Sequence, residues 1–475
     1  MTTPQHPQEL LRSKSYLRLL ILAAVLGAPV SAAAYGFLQL VAYLQGQVFT
    51  HLPNGLGFHG TPPWWPLPVL TLAGLLVAPV IRFLPGTGGH SPADGFKAGE
   101  GAPTAAQLPG VLLAALAALS LGVVLGPEAP LIALGGGLAV LAVRLAKRDT
   151  PGQATAVVAA AGSFAAVSTL FGSPIAGAFL LMEASGLGGP MLGVVLLPGL
   201  LASGVGALIF VGLDSLTGFG TFSLSVPGLP HFARPDIAEF GWALVIGVAA
   251  AIVGPAIQRL ALLIRPHVDR RILLLTPVVG LAVAGLAIAY TEGTGKSSSD
   301  VLFSGQSQLG PLITNAASYS VGALLLLLAC KGLAYGASLS SFRGGPTFPA
   351  LYLGAAGGIA LSHLPGLPLV PAVAMGIGAM SAVMLRLPLT SVLLATLLLF
   401  SDGLAVMPLV IVAVVVAYVA SARLAPAPAS APAPGRAPAP TATVPPQIPA
   451  TEPATPPLVP PASSPDHGTE PRRLP

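Results

Sequence analysis

Gly126-Pro127-Glu128-Ala129-Pro130 sets a carboxylate in the middle of strongly apolar sequence. Val111–Leu125 precedes it, Leu131–Val143 follows it, and neither flank carries a charge. An ionisable group in such a run is expensive in a bilayer and marks a functional site. The glycine and the two prolines break any helix that enters the segment. A helix restarting near Pro130 aims its unsatisfied N–H groups back at the break, which suits a negative charge or a bound anion.

The composition around this segment is that of a membrane protein. Of 475 residues, 54% are hydrophobic and 8% charged, with a mean hydropathy of +0.83. Soluble domains carry roughly 25% charged residues. The net charge of +5 does not point to nucleic acid, because the basic residues are scattered singly through loops and termini. Cys330 is the single cysteine, so an intrachain disulfide is ruled out and a packed thiol is expected. Arg12, Lys14 and Arg18 precede an apolar run ending in Ser31-Ala32-Ala33-Ala34, a pattern shared with cleaved signal peptides. The apolar pattern continues to Val48, which favours a retained helix and a cytoplasmic N-terminal segment over residues 1–15.

Apolar segments then follow one another to Ala422. The pattern predicts helices near 16–49, 66–84, 108–125, 130–147, 153–169, 174–186 and 191–212. A second series is predicted near 236–264, 271–290, 318–338, 348–363, 370–384, 388–401 and 404–423. Many are too short to span a bilayer, and glycine and proline interrupt them at Gly172-Ser173-Pro174, Gly344-Gly345-Pro346 and Arg386-Leu387-Pro388. Broken backbone at membrane depth is tolerated when it is buried in protein or lines a cavity. A break near Ser225–Pro235 divides the membrane domain, residues 16–424, into halves of about 16–225 and 236–424. Their like segment patterns predict an inverted repeat with the site at its middle. From Ala425 the chain is dominated by proline and alanine, and 425–475 is expected to be a disordered tail.

Three further places could carry chemistry. Pro85-Gly86-Thr87-Gly88-Gly89-His90-Ser91-Pro92 can cup an anion with successive N–H groups. Ser340–Pro349 again places glycines before a helix start, in a stretch with no Asp or Glu between Asp300 and Asp402. Glu183 lies about three turns into its helix, where it faces either the site or water at the membrane surface. Lys331, in an apolar run, is expected to snorkel.

Taken together these segments resemble the CLC family of chloride channels and proton-coupled chloride antiporters, over roughly Tyr16–Ala422. The family signatures G-S-G-I-P, G-[KR]-E-G-P and G-x-F-x-P are similar to Gly88-Gly89-His90-Ser91-Pro92, Gly126-Pro127-Glu128-Ala129-Pro130 and Gly345-Pro346-Thr347-Phe348-Pro349. The resemblance implies an all-α polytopic membrane protein, a CLC-like inverted-repeat bundle of broken, tilted helices. It implies transport of chloride or a similar small anion at the cell membrane, with protons as a second partner in an antiporter. It implies a homodimer, with contacts within 174–212 and 388–423. By the same resemblance Glu128 is the gating glutamate and Glu183 a proton-handling group. Thr87, Gly88, Gly89, His90, Ser91, Gly126, Ala129, Gly345, Thr347 and Phe348 become the anion-binding set. No cofactor, resident metal or nucleic-acid partner is expected.

The departures are informative. Gly89 stands where the family places its central serine. Pro127 replaces a basic residue and Pro346 an aliphatic one, and each proline removes a backbone donor. Thr347 stands at the family phenylalanine, and Ala184 at the second member of a Glu-Glu pair. The final helix that carries the family's site tyrosine has no counterpart before the Pro/Ala-rich segment. Glu128 favours proton coupling or protonation gating, whereas Ala184 favours an uncoupled path. Two other classes compete: a membrane enzyme, for which no catalytic motif is found, and a cation or drug transporter using Glu128 as a cation ligand.

Overall fold

The structure is a computed structural model. It describes residues 11–96, 101–146, 152–168, 170–171, 173–186, 190–220, 226, 230–232, 234–398 and 403–424. The expected tail, 425–475, lies outside the described residues, as do 1–10 and parts of the expected break, namely Ser225, 227–229 and 233.

The described chain is built from helices, and eight helical stretches are long and apolar enough to cross a bilayer. The first half contains α1 (Lys14–Gly46), α2 (Pro66–Phe83), α3 (Leu108–Ser120), α4 (Glu128–Ala146), α5 (Gly152–Ala166), α6 (Pro174–Ala184) and α7 (Pro190–Thr217). The second contains α8 (Ile237–Arg270), α9 (Ile272–Thr294), α10 (Gln306–Thr314), α11 (Val321–Ser341), α12 (Thr347–Ser362), α13 (Leu369–Leu385), α14 (Pro388–Leu398) and α15 (Gly403–Leu424).

Local chemistry sets the ends. Ser13 caps α1 by accepting the Tyr16 N–H at 3.1 Å. At its far end α1 widens into a π turn, Gln47–His51, before continuing through Leu52–Gly55. Pro53 has no N–H to give the Phe49 carbonyl four residues back. That carbonyl instead accepts the Thr61 hydroxyl, and the Val48 carbonyl accepts Trp65 Nε1. Asp236 and Glu239 form a reciprocal capping box on α8.

Several elements differ from the sequence expectation, α7 and α9 running on to Thr217 and Thr294. Helix α3 stops at Ser120 rather than near 125, because the chain turns at Gly122, whose φ is +92°. A side chain there would also meet the Phe49 ring at 3.0 Å. Helix α8 runs on to Arg270, and α10 was not anticipated, its nine residues being mostly polar at the start.

Small residues let the helices touch backbone to backbone. Side chains added at Gly354 and Gly358 of α12 would strike the Gly376 and Ala372 carbonyls of α13, and Gly135 of α4 meets Gly162 of α5 in the same way. Large apolar residues such as Leu17, Ile21, Leu75, Leu244, Val248 and Leu333 face outward, as lipid contact requires.

One face of the molecule gathers the basic ends. Arg265 pairs with Asp94, Arg343 Nε donates to the Thr87 carbonyl at 3.2 Å, and Arg259 donates to the Leu424 carbonyl at 2.8 Å. The opposite face joins the end of α1 to the segment before α10. There Gln45 donates to the Leu119 carbonyl at 2.9 Å, and Phe303 N donates to the Gly122 carbonyl at 3.0 Å.

Lys331 does not snorkel. It is fully buried, and its ammonium donates to the carbonyls of Asp300, Val301 and Leu302 at 3.0, 3.0 and 3.2 Å. It also sits 4.4 Å from the centre of the Tyr352 ring. A ring of carbonyls and an aromatic face replace water, so the charge need not reach the surface.

Candidate functional site: a carboxylate between two helix N-termini

Helices α4 and α12 begin at the same depth because their lead-in segments pair. Gly126 N donates to the Gly345 carbonyl at 2.7 Å, and Gly345 N donates to the Gly126 carbonyl at 2.6 Å. This antiparallel bridge brings two like sequences face to face. Gly126–Gly135 and Gly345–Gly354 both read G-P-x-x-P-x-x-x-L-G. The repeat between the halves is therefore written in the sequence at the site itself, where Glu128 of one copy answers to Thr347 of the other.

Glu128, fully buried, crosses the bridge. Its Oε1 accepts the Phe348 N–H at 3.0 Å, one of the donors that a helix start leaves free. The Thr347 hydroxyl and backbone face the same carboxylate. Neither Oε2 nor Thr347 Oγ1, both buried, makes a well-formed hydrogen bond. Glycine is required at both bridge positions, since a side chain at Gly126 or Gly345 would overlap the Glu128 carboxylate. Phe348 stacks on Phe171 with centroids 5.4 Å apart, which closes the apolar side of the site.

Cavities reach this point from both faces. One of about 260 Å³ is lined by Gln45, Leu125, Pro127 and Gln306. On the basic face a cavity of about 550 Å³ is lined by Thr87, Gly88, Gly89 and His90 together with Ala129, Pro130, Arg343 and Pro346. Pro127 bounds one cavity and Ala129 the other, so the Glu128 backbone lies between the two approaches, although Glu128 itself lines neither. Ser91 is not among the residues lining the basic-face cavity; its carbonyl accepts the Asp94 N–H at 3.1 Å. The glycine-rich turn holds Gly86, Thr87, Gly88 and Gly89 all at positive φ, and it opens toward Arg343. The stretch around Arg343 lacks carboxylates in sequence but not in space, because Asp94 and Asp269 act on this guanidinium.

Glu183 lies in a second basic-face cavity of about 550 Å³ with Asp94, Gln258 and Arg386. Its carboxylate accepts from Leu389 N at 3.0 Å, Thr390 N at 2.7 Å and Thr390 Oγ1 at 2.6 Å. It therefore caps the N-terminus of α14 from another helix. Pro346 lines both basic-face cavities and connects this region to the Glu128 site.

The sequence reading passed over Tyr335. It is fully buried on α11, and its hydroxyl donates to the Pro346 carbonyl at 2.6 Å. A tyrosine in an apolar helix announces no such partner.

Residues 69–422 match the family profile described as Voltage gated chloride channel. The chain belongs to this family. Among its relatives is YfeO of Escherichia coli (strain K12 / DH10B), named as a candidate ion-transport protein. It is 30% identical over 351 residues, which cover 73% of this chain and 80% of the relative. The Shigella boydii serotype 4 (strain Sb227) protein of the same name matches equally. Among solved structures, a slow cyanobacterial Cl−/H+ antiporter aligns with a TM-score of 0.66 at 19% identity. That alignment covers 86% of this chain and 96% of the other. A CLC-type fluoride/proton antiporter aligns with a TM-score of 0.62 at 20% identity, over 85% and 95% of the two chains. The fold is thus the family's inverted-repeat helical bundle, and the chain is an integral, multi-pass membrane protein.

Proposed function

We propose that this protein moves chloride or a similar small anion across the cell membrane, with Glu128 as its gate. One observation carries the reading. The Glu128 carboxylate occupies an anion's place, bonded by the Phe348 N–H at a helix start and set between cavities from opposite faces. A carboxylate that fills an anion site blocks it while charged and leaves it when protonated or displaced. Membership of the family, and relatives named for ion transport and Cl−/H+ exchange, support the same conclusion. Backbone N–H groups at the starts of α4 and α12, together with Thr347, then serve the anion, and the glycine turn with His90 and Arg343 forms its basic-face approach.

Glu183 bears on coupling. Three donors at the α14 start engage it as the cap of that helix, a structural task separate from proton delivery. This favours uncoupled conduction as the second reading beside proton exchange. The reading includes a homodimer with its contact on 174–212 and 388–423, where Ile175, Leu208 and Leu404 present apolar surface.

The test is reconstitution into chloride-loaded liposomes with chloride efflux and proton uptake recorded together. Efflux with uphill proton movement identifies an exchanger, and efflux without it identifies an uncoupled path. Glu128→Gln and Glu128→Ala are expected to keep anion flux and lose its pH dependence. Wild-type pH dependence in both variants, or no anion flux in the native protein, would overturn the reading.

A further inference from the structure

Helix α11 touches both arms of the glycine bridge. Ser338 Oγ accepts the Val124 N–H at 3.4 Å, on the arm that leads to Gly126 and Glu128. Tyr335, three residues earlier on the same face, donates to the Pro346 carbonyl at 2.6 Å, on the arm that leads to Thr347 and Phe348. Pro346 is the capping residue of α12, so this bond fixes the Pro346–Thr347 peptide, whose N–H faces the Glu128 carboxylate one peptide ahead of the Phe348 N–H.

We infer that Tyr335 is a positioning residue of the gate, setting how firmly the start of α12 holds the Glu128 carboxylate. The inference rests on the reading of Glu128 as the gate. Tyr335 comes from α11, so the site has a tyrosine from within the bundle. The groups packed around the gate are few. Helix α11 contributes Tyr335 and its following loop Arg343, His90 of the glycine-rich turn lines the same cavity as Arg343, and Asp94 of the next turn lines the neighbouring one. The start of α12 contributes the Thr347 hydroxyl and the Phe348 N–H. Asp94 and Asp269 attract the Arg343 guanidinium, while Arg265, paired with both carboxylates, repels it. The Tyr335 hydroxyl therefore acts through backbone geometry at the point of contact.

The sign follows from the bond. The Phe348 N–H favours the charged carboxylate, which blocks the path. Removing the Tyr335 hydroxyl loosens that donor, so the gate protonates and opens in less acidic medium. Tyr335→Phe should retain flux and move its half-maximal pH upward, by about three- to tenfold in proton concentration. Ser338→Ala, on the other arm, should move it the same way. Tyr352→Phe removes a buried hydroxyl from α12 that has no partner and should leave the profile unchanged. In a Glu128→Gln background, Tyr335→Phe should add nothing.

The experiment is chloride efflux from liposomes across a pH series for these variants, with melting in detergent recorded for each. An unshifted Tyr335→Phe beside a pH-independent Glu128→Gln overturns the inference alone. So does a shift that persists in the double variant. Wild-type pH dependence in Glu128→Gln overturns the gate reading and this inference with it.

Discussion

Gly345 and Lys331 show two ways in which one residue shapes the path. Gly345 leaves space that the Glu128 carboxylate fills, and any side chain there would overlap it. Gly345→Ala should therefore expel the carboxylate and give flux that no longer falls at alkaline pH, read in the liposome assay. Lys331 does the reverse, supplying a charge where apolar sequence predicts none. Its bonds gather the carbonyls of residues 300–303, and Phe303 of that loop packs on Phe49 with ring centroids 4.8 Å apart. Phe303 itself is held at a φ of +58°, a conformation an aromatic residue rarely adopts. Lys331→Met keeps the length of the chain but strands these carbonyls. A loss of about 2 kcal/mol is expected, seen as a lower melting temperature in detergent and faster hydrogen exchange over 300–307.

Helix ends, more than helix middles, carry the working groups. The α14 start is capped by Glu183 from α6, and Glu183→Ala should fray it, at about 1 kcal/mol. Faster exchange at the Leu389 and Thr390 amides would report this, with the α12 amides unaffected. The loop after α9 holds Asp300, whose Oδ2 accepts the hydroxyls of Tyr290 and Tyr319 at 2.9 and 3.1 Å. Burial pushes this carboxyl above its ordinary range, against the pull of those hydroxyls. The folded protein then binds the Asp300 proton more tightly than the unfolded chain does. The stability it contributes is full at acid pH and falls as pH rises through the raised value. Asp300→Asn keeps an acceptor for the tyrosines and should flatten that slope in melting measured from pH 4 upward. The sequence discloses these features unevenly, for physical reasons. Glu128 is legible because a carboxylate between glycine and prolines in an apolar run costs too much to stand there without a use. The helices are legible because their apolar runs are long and their breaks carry glycine or proline. Tyr335, Lys331 and the Glu183 cap are not, because their partners are backbone groups 11, about 30 and about 206 residues away. Backbone groups are the same at every position and leave no trace in residue type.

Each half of the molecule carries one copy of the same motif, the two meeting at the Gly126–Gly345 bridge, and the working asymmetry lies in side chains. Both G-P-x-x-P segments deliver a helix start to the centre, yet one brings a carboxylate and the other a hydroxyl. The two faces differ as strongly. Arg82, Arg144, Arg265, Arg343, Arg386 and Arg423 all lie at segment ends or turns of the basic face, with Lys14 at the start of α1. On the opposite face Lys296 is held against the Tyr319 ring, 4.4 Å from its centre. Lys and Arg are retained on the cytoplasmic side of short loops, which predicts that the basic face, with the glycine turn, Glu183 and Arg343, faces the cytoplasm. The cavity bounded by Pro127 and Gln306 then opens outward. Cysteine labelling decides this, because the native Cys330 is only 4% exposed and gives a quiet background. Ser307→Cys, beside the Pro127 cavity, should react with a membrane-impermeant thiol reagent added outside intact cells. Arg423→Cys, at the end of α15, should react only after the membrane is opened. The reversed pattern would turn the molecule over, and with it the side from which protons first meet Glu128.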